Sequence, residues 1–277
     1  MNRFSVSASH SALGQPLSDD QIRRVAPSVF ADQAHQSRSA RYAYIPTSDV
    51  LQGLRAEGFE VFAAQQARTR LADRSEHTKH LLRLRHRGAA GSALRPSVGD
   101  SVPEIVLINS HDGSSAYQMM AGVFRFVCAN GLVVASSTIG DFRVPHTGQV
   151  RDRVIAGAFE ILDGFTRVVE DREALQATTL QPDEQIIFAR AALQLRYDEA
   201  APVRAESINQ ARRIDDRGAD LWSTFNRVQE NLIRGGRPGI NAAGRRARTR
   251  AVEGIDQSVK LNRALWTLAD EMRKLKA

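Results

Sequence analysis

The period of the apolar residues changes once along the chain, and that change limits the folds open to it. Between Phe59 and Val134 apolar residues come in short runs or alternate with polar ones, and turn residues separate the runs. Alternation at period two marks a strand with one buried face. From residue 148 to the end they recur every three or four residues, the helical period. Consecutive strands followed by consecutive helices predict an α+β fold. The sheet is expected to be antiparallel, in the N-terminal half and packed with helices, and the C-terminal half largely helical.

Individual elements follow from local chemistry. Ser18 with Gln21 three residues on is a capping box, so a helix starts there. Thr47 or Ser48 is expected to cap a helix with Val50, Leu51 and Leu54 on its apolar face and Gly58 at its C′ position. Strands are expected from Phe59, over HLLRLRHR (His80 to Arg87), and over EIVLIN (Glu104 to Asn109). Residues 88–102 are rich in Gly, Ala, Ser and Pro and read as a loop. Asp112-Gly113 reads as a tight turn. The stretch from Tyr117 to Val134 reads as a strand followed by a helix ending near Gly131. Helical faces then follow: Val150, Val154, Ala158, Ile161, Leu162 and Phe165; Ile186, Ile187 and Leu193; Leu221, Trp222, Phe225, Val228 and Leu232. The last is Val259, Leu261, Leu265, Trp266, Leu268 and Met272. These divide the chain into an arm (1–40), an α+β sheet domain (41–147) and a helical region (148–277) holding a basic loop (234–250).

Composition removes several classes of function. Hydrophobic residues are 42% and charged residues 25%, an ordinary globular balance. No apolar run is long enough to span a bilayer, and MNRFSVSASHSALGQ lacks the apolar core of a signal peptide. The one cysteine, Cys128, excludes an internal disulfide and suits a reducing compartment. Its apolar surroundings fit a buried, inert thiol. A cytoplasmic protein is therefore expected. The net charge of +7 is unevenly placed: residues 1–100 carry +5, residues 101–200 carry −5 and residues 201–277 carry +7. Nearly all the positive charge is arginine, whose planar fork suits phosphate.

The densest positive charge lies between Arg234 and Arg250. Arg234, Arg237, Arg245, Arg246, Arg248 and Arg250 stand there with four glycines and no acid, as a loop that can follow a phosphate backbone. Arg83 and Arg85 would add a cationic sheet face if nothing covered it. Gly235 and Gly244 do not form a phosphate-binding NTPase loop, because no GKS or GKT follows. NSHDG (Asn109 to Gly113) most resembles a catalytic cluster, since His111 and Asp112 could join His77, His80 or Asp141 as a metal site or acid–base pair. Asp-Gly is first a turn, however, and His77 and His80 lack the helical spacing of a zinc motif. No catalytic residue, metal or cofactor is assigned. Phe59, Phe62, Tyr117, Phe124 and Phe126 could stack on bases if exposed, but their apolar strands favour core packing, as do the helix faces bearing Trp222 and Trp266.

Several stretches resemble the phage/plasmid-like protein family known as domain of unknown function 932. They are Ile45 to Thr47, EGFEVFAAQQ (Glu57 to Gln66), HLLRLR (His80 to Arg85), PEIVLINSHDGSSAY (Pro103 to Tyr117), FRFVCANGLVV (Phe124 to Val134) and GRRARTRAVEGIDQSVKLNRALW (Gly244 to Trp266). The resemblance implies a protein of phages, plasmids and other mobile elements and carries no settled activity. At the level of fold alone, the pattern is similar to phage single-strand annealing proteins, which bind single-stranded DNA as oligomers. The leading expectation is a non-enzymatic protein that binds DNA without sequence preference, as a DNA recombination or annealing factor and a homo-oligomer. Two alternatives are a metal-dependent nuclease or hydrolase centred on His111 and Asp112, and a modulator of host defence that docks a protein through the acidic middle segment.

Overall fold

Among the described residues, alternating and apolar runs of the N-terminal half pair into one seven-stranded sheet, antiparallel at every junction. The computed structural model describes residues 7–10, 15–37, 44–88, 101–125, 131–133, 142–146, 149–198, 201–240 and 243–277. The strands are β1 (Ser7–His10), β2 (Phe59–Gln66), β3 (His80–His86), β4 (Ser101–Asn109), β5 (Tyr117–Arg125), β6 (Gly131–Val133) and β7 (Phe142–Val144). They lie side by side in chain order from β1 to β6, with β7 sharing the outer edge of β5 with β6. The fold is α+β, as the periodicity implies. Gly131 opens a strand instead of closing a helix. Both flanks of that segment, to Arg125 and from Gly131, are extended, while residues 126–130, with Cys128 and Phe126, lie outside the described residues.

Among the described residues three α-helices complete the first unit, residues 1–166. Helix α1 (Asp19–Val25) starts at the Ser18–Gln21 capping box. Helix α2 (Thr47–Ala56) buries Val50, Leu51 and Leu54, but its N-cap is Pro46, and neither Thr47 nor Ser48 caps it. The first forty residues are not simply an arm: β1 extends the sheet, and Ile22 and Val29 are fully buried. Helix α3 (Val150–Asp163) also belongs with the sheet. Its buried stripe of Val150, Val154, Ala158 and Ile161 packs on α2, β4, β5 and β7. The division of the chain therefore falls at 166/167, later than the change of period near 147 suggests.

The second unit, residues 167–277, is built on α7 (Leu221–Arg234), which is buried along almost its whole length. Helix α4 (Phe165–Ala177) begins at the boundary, and around α7 stand α5 (Pro182–Tyr197), the short α6 (Ala205–Ile208) and α8 (Ile255–Lys276). Trp222, Phe225 and Trp266 meet in its core, with Trp222 stacked on Phe225 and Trp266 edge-on to both. On α5 the buried face is Phe188, Ala189, Ala192 and Leu193, and Ile187 is 54% exposed instead of lying on the apolar stripe. Among the described residues no helix is long and apolar enough to cross a membrane.

Candidate functional site

Two concentrations of chemistry emerge, one in each unit. The first is set by sheet register. Gln66 pairs with His80, and His80 pairs with Asn109. Tyr117, next to the Gln118 that pairs with Ile108, continues the row on β5. Directly paired residues share a face of the sheet, so the pairing draws a polar row across one end of it. Thr47, at the first turn of α2, faces this row. Its Oγ1 lies 2.9 Å from His80 Nε2, 3.0 Å from Asn109 Nδ2, 3.1 Å from His111 Nε2 and 3.4 Å from Tyr117 Oη.

The hydrogen-bond network assigns the protons. Ser28 Oγ donates to Gln66 Oε1 at 2.7 Å, so it accepts from His80 Nδ1–H at 2.9 Å. His80 Nε2 is then an acceptor and takes the Thr47 hydroxyl proton. Thr47 Oγ1 in turn accepts from Asn109 Nδ2–H and His111 Nε2–H, while Tyr117 Oη donates to the Ile45 carbonyl at 3.1 Å. Asn109 Oδ1 accepts from His146 Nε2–H at 3.1 Å. His80, Asn109 and His111 are all 0% exposed. Burial lowers the His80 pKa from 6.5 to about 4, against opposing pulls from a hydrogen bond with the Thr78 backbone and from Asp112. Burial, then the neighbouring His80, His146 and His77, lower that of His111 to about 2. Both rings are neutral near pH 7, and the network joins α2 to three strands.

The structure thus brings His77, His80 and His111 together and adds Thr47, expected only as a helix cap, Asn109, the first residue of NSHDG, and His146, which sequence reasoning did not single out. Asp112 serves its own turn: its carboxylate accepts from Ser114 N at 2.9 Å, and Gly113 has φ +77°. Burial raises the Asp112 pKa, but hydrogen bonds from Ser114 and Ser110 outweigh it and hold the group below its ordinary value. Asp141 lies outside the described residues. Among the described residues no three His, Cys, Asp or Glu side chains are spaced to hold a metal ion.

Arg83 and Arg85 do not form an open cationic face. They are 5% and 4% exposed. Both Nε atoms donate to Glu104, Arg83 at 2.5 Å and Arg85 at 2.7 Å. Arg85 also lies over the Phe62 ring, 4.2 Å from its centroid. The carboxylate comes from the next strand, where Glu104 stands beside Ile105, the partner of Leu84.

The basic segment of the second unit divides into two parts. Arg234 and Arg237 are held by α7. Arg234 pairs with Glu230 at 2.8 Å, and Arg237 donates to Asn231 Oδ1 at 2.7 Å and to the Gln210 carbonyl at 2.7 Å. Arg213 shares Glu230, and Arg212 shares Asn231, both at 2.6 Å. Four guanidinium groups therefore gather about one carboxylate. Burial lowers the pKa of Arg212, and Arg234 and Arg213 lower it further. The rest of the segment is not a simple loop. Strand β8 (Pro238–Ile240) pairs antiparallel with β9 (Arg246–Arg248), setting Pro238 opposite Arg248, Gly239 opposite Ala247 and Ile240 opposite Arg246. Arg245, Arg246, Arg248 and Arg250 are all exposed. Arg248 Nη1 donates to the Gly236 carbonyl at 3.0 Å, and among the described residues no acid pairs with Arg246, Arg248 or Arg250.

Both concentrations fall within the reach of one family model. The model described as Domain of unknown function (DUF932) matches residues 34–266. The chain belongs to the DUF932 family. This DUF932 chain is 51% identical over 259 residues to the UPF0380 protein YafZ of Escherichia coli (strain K12), covering 93% of this chain and 92% of that protein. It has the same identity and coverage with the UPF0380 protein YfjQ of the same organism. No solved structure matches. The DUF932 match takes in Thr47, His80, Asn109, His111 and His146 as well as the whole β8–β9 ribbon, and leaves Ser28 outside.

Proposed function

We propose that this DUF932 protein binds nucleic acid through phosphate contacts from the second unit, without sequence preference and without catalytic turnover. The observation that carries the reading is the β8–β9 ribbon, which holds Arg246 and Arg248 outward on one short strand with Arg245 and Arg250 on either side. The excess of guanidinium over carboxylate around Glu230 adds to the positive field. Arginine forks on a fixed backbone suit phosphate oxygens. Arg83 and Arg85 are left out of the surface because Glu104 already holds them. A hydrolytic reading centred on His111 and Asp112 has less support, since His111 is enclosed and Asp112 is turned to the backbone of its own turn. DNA recombination or strand annealing on mobile elements is a setting such a surface would serve, and a homo-oligomer would multiply its contacts.

The test is the salt dependence of DNA affinity for the wild type and for a variant carrying Arg246→Ala, Arg248→Ala and Arg250→Ala. Each lost phosphate contact should flatten the slope of log affinity against log salt by about 0.7–0.9. The fold should survive, because these side chains are exposed and their contributions to stability are small. Equal affinity and equal slope for both proteins would refute the proposed surface.

A further inference from the structure

We propose that the outward face of the β8–β9 ribbon selects single strands over duplexes, with apolar side chains for bases beside arginines for phosphates. This rests on the nucleic-acid reading above and adds the class of strand. Residues directly opposite in an antiparallel pair project from the same face. Ile240 is opposite Arg246 and Pro238 is opposite Arg248, so these four share one face, and Gly239 and Ala247 share the other. Exposure follows the same division: the four are exposed, and Gly239 and Ala247 are half-buried.

The inward face is fixed by close packing. A Cβ on Gly239 would lie 1.9 Å from the Pro202 carbonyl oxygen, an approach only glycine permits. Ile240 N donates to that same oxygen at 2.8 Å. At the base of the ribbon, Gly236 N donates to the Thr249 carbonyl, and Thr249 N donates to the Arg237 carbonyl. The ribbon is therefore a held platform. Its outward face keeps Ile240 61% exposed next to the exposed Pro238, an apolar pair that sits directly across from the two arginines. Beside it runs an open groove of ≈ 580 Å³, lined by Pro202, Val203, Arg204, Glu206 and Gln210 together with Pro238 and Ile240. That volume is in the range of small-ligand sites, about 300–1,000 Å³.

The occupant must present negative charge and an apolar surface within a few ångströms of each other. Arg246 and Arg248 stand two residues apart on one strand, about 6.6–6.8 Å at the usual rise. Pro238 and Ile240 lie directly across from them. A duplex offers phosphates outward but keeps its base faces stacked inside. An unpaired strand offers both, because each base has a free face that stacks without regard to sequence. Charge and apolar contact on one ribbon face therefore favour a single strand.

The experiment compares the full chain's affinity for a labelled oligothymidine and for a duplex of equal length at the same salt, for the wild type and Ile240→Ser. The oligothymidine should bind more tightly. Ile240→Ser should weaken that binding by about fivefold, the effect of losing part of one apolar contact, and leave duplex binding unchanged. Circular dichroism should show the variant folded, as the side chain is exposed. Equal affinity for both probes, or an equal effect of Ile240→Ser on both, overturns strand selection while leaving phosphate binding in place. Absence of binding to either probe overturns the nucleic-acid reading itself. A homo-oligomer that Ile240→Ser dissociates, with oligothymidine affinity unchanged, assigns the face to a second copy of the chain and overturns the proposal as well.

Discussion

Mild acid should destabilise the sheet unit through His80 and His111, before its carboxylates take part. In the unfolded chain both rings protonate near 6.5, whereas in the fold their pKa values are about 4 and about 2. A folded pKa below the unfolded one means that stability is full above 6.5 and is lost as the pH falls. Between 6.5 and 4 the unfolded state gains up to two protons that the folded state refuses. The slope approaches about 1.4 kcal/mol per pH unit for each histidine. At about pH 5 each ring costs about 2 kcal/mol, or about 4 together, against a typical total stability of about 5–15 kcal/mol. Below pH 4 the His80 contribution is complete, and His111 continues alone. The geometry explains the refusal. His111 already donates through Nε2, and its Nδ1 is a buried atom with no hydrogen-bond partner among the described residues. A second proton would place a charged donor there. Urea unfolding at steps from about pH 7 to about pH 5 measures the slope in a window where ordinary carboxylates stay ionised. The variant His111→Gln, which can still donate to Thr47, should reduce the slope by about half. Flat stability across the window would refute the reasoning, as would a His80 ring that titrates near 6.5 in the folded protein by NMR.

Three other outcomes follow from single contacts. Glu104→Ala leaves the buried Arg83 and Arg85 guanidiniums without their shared carboxylate, and should cost about 3–5 kcal/mol in chemical denaturation. Thr47→Val keeps the shape of the side chain but removes the hydroxyl shared by His80, Asn109 and His111. It should cost about 1–3 kcal/mol for each group left unsatisfied, and an unchanged denaturation midpoint would show that other groups replace it. Gly113→Val puts a β-branched side chain at φ +77°, and should lower stability by about 1–2 kcal/mol or more in a thermal melt.

The parts of the fold legible in the sequence are those set by local chemistry. The Ser18–Gln21 capping box, the Asp112-Gly113 turn, the strand over His80–His86 and the apolar stripe of α8 each depend on residues within a few positions of one another. Where the pattern was short, it misled. The apolar stretch from Tyr117 fits either a buried strand or a helix, and only sheet pairing decides for its described parts: β5 pairs with β4, and Gly131–Val133 pair with β5. Thr47 has the type and place of a cap, yet Pro46 takes that position, leaving the hydroxyl to the histidines. Only sheet register reveals why: Gln66, His80 and Asn109 come from three strands, and nothing in their spacing announces that they stand in a row.

The arginines show the same division between local and distant information. Arg83 and Arg85 alternate with leucines as an exposed face would, but Glu104, some twenty residues on, turns that face into a buried ion cluster. Its acid is invisible to any local reading. Arg234 is the opposite case. Glu230 lies one turn earlier on the same helix, at the spacing that favours a pair, so its structural role could have been read from the sequence. Removing these three, and Arg237, which Asn231 and Gln210 hold, leaves the arginines from 245 to 250 in the candidate surface. A two-stranded ribbon is marginal on its own. Here Gly239 lets it lie directly on the Pro202 carbonyl, which fixes one face inward and therefore the other outward. A glycine that seats the ribbon thus shapes this outward face as much as the arginines displayed on it.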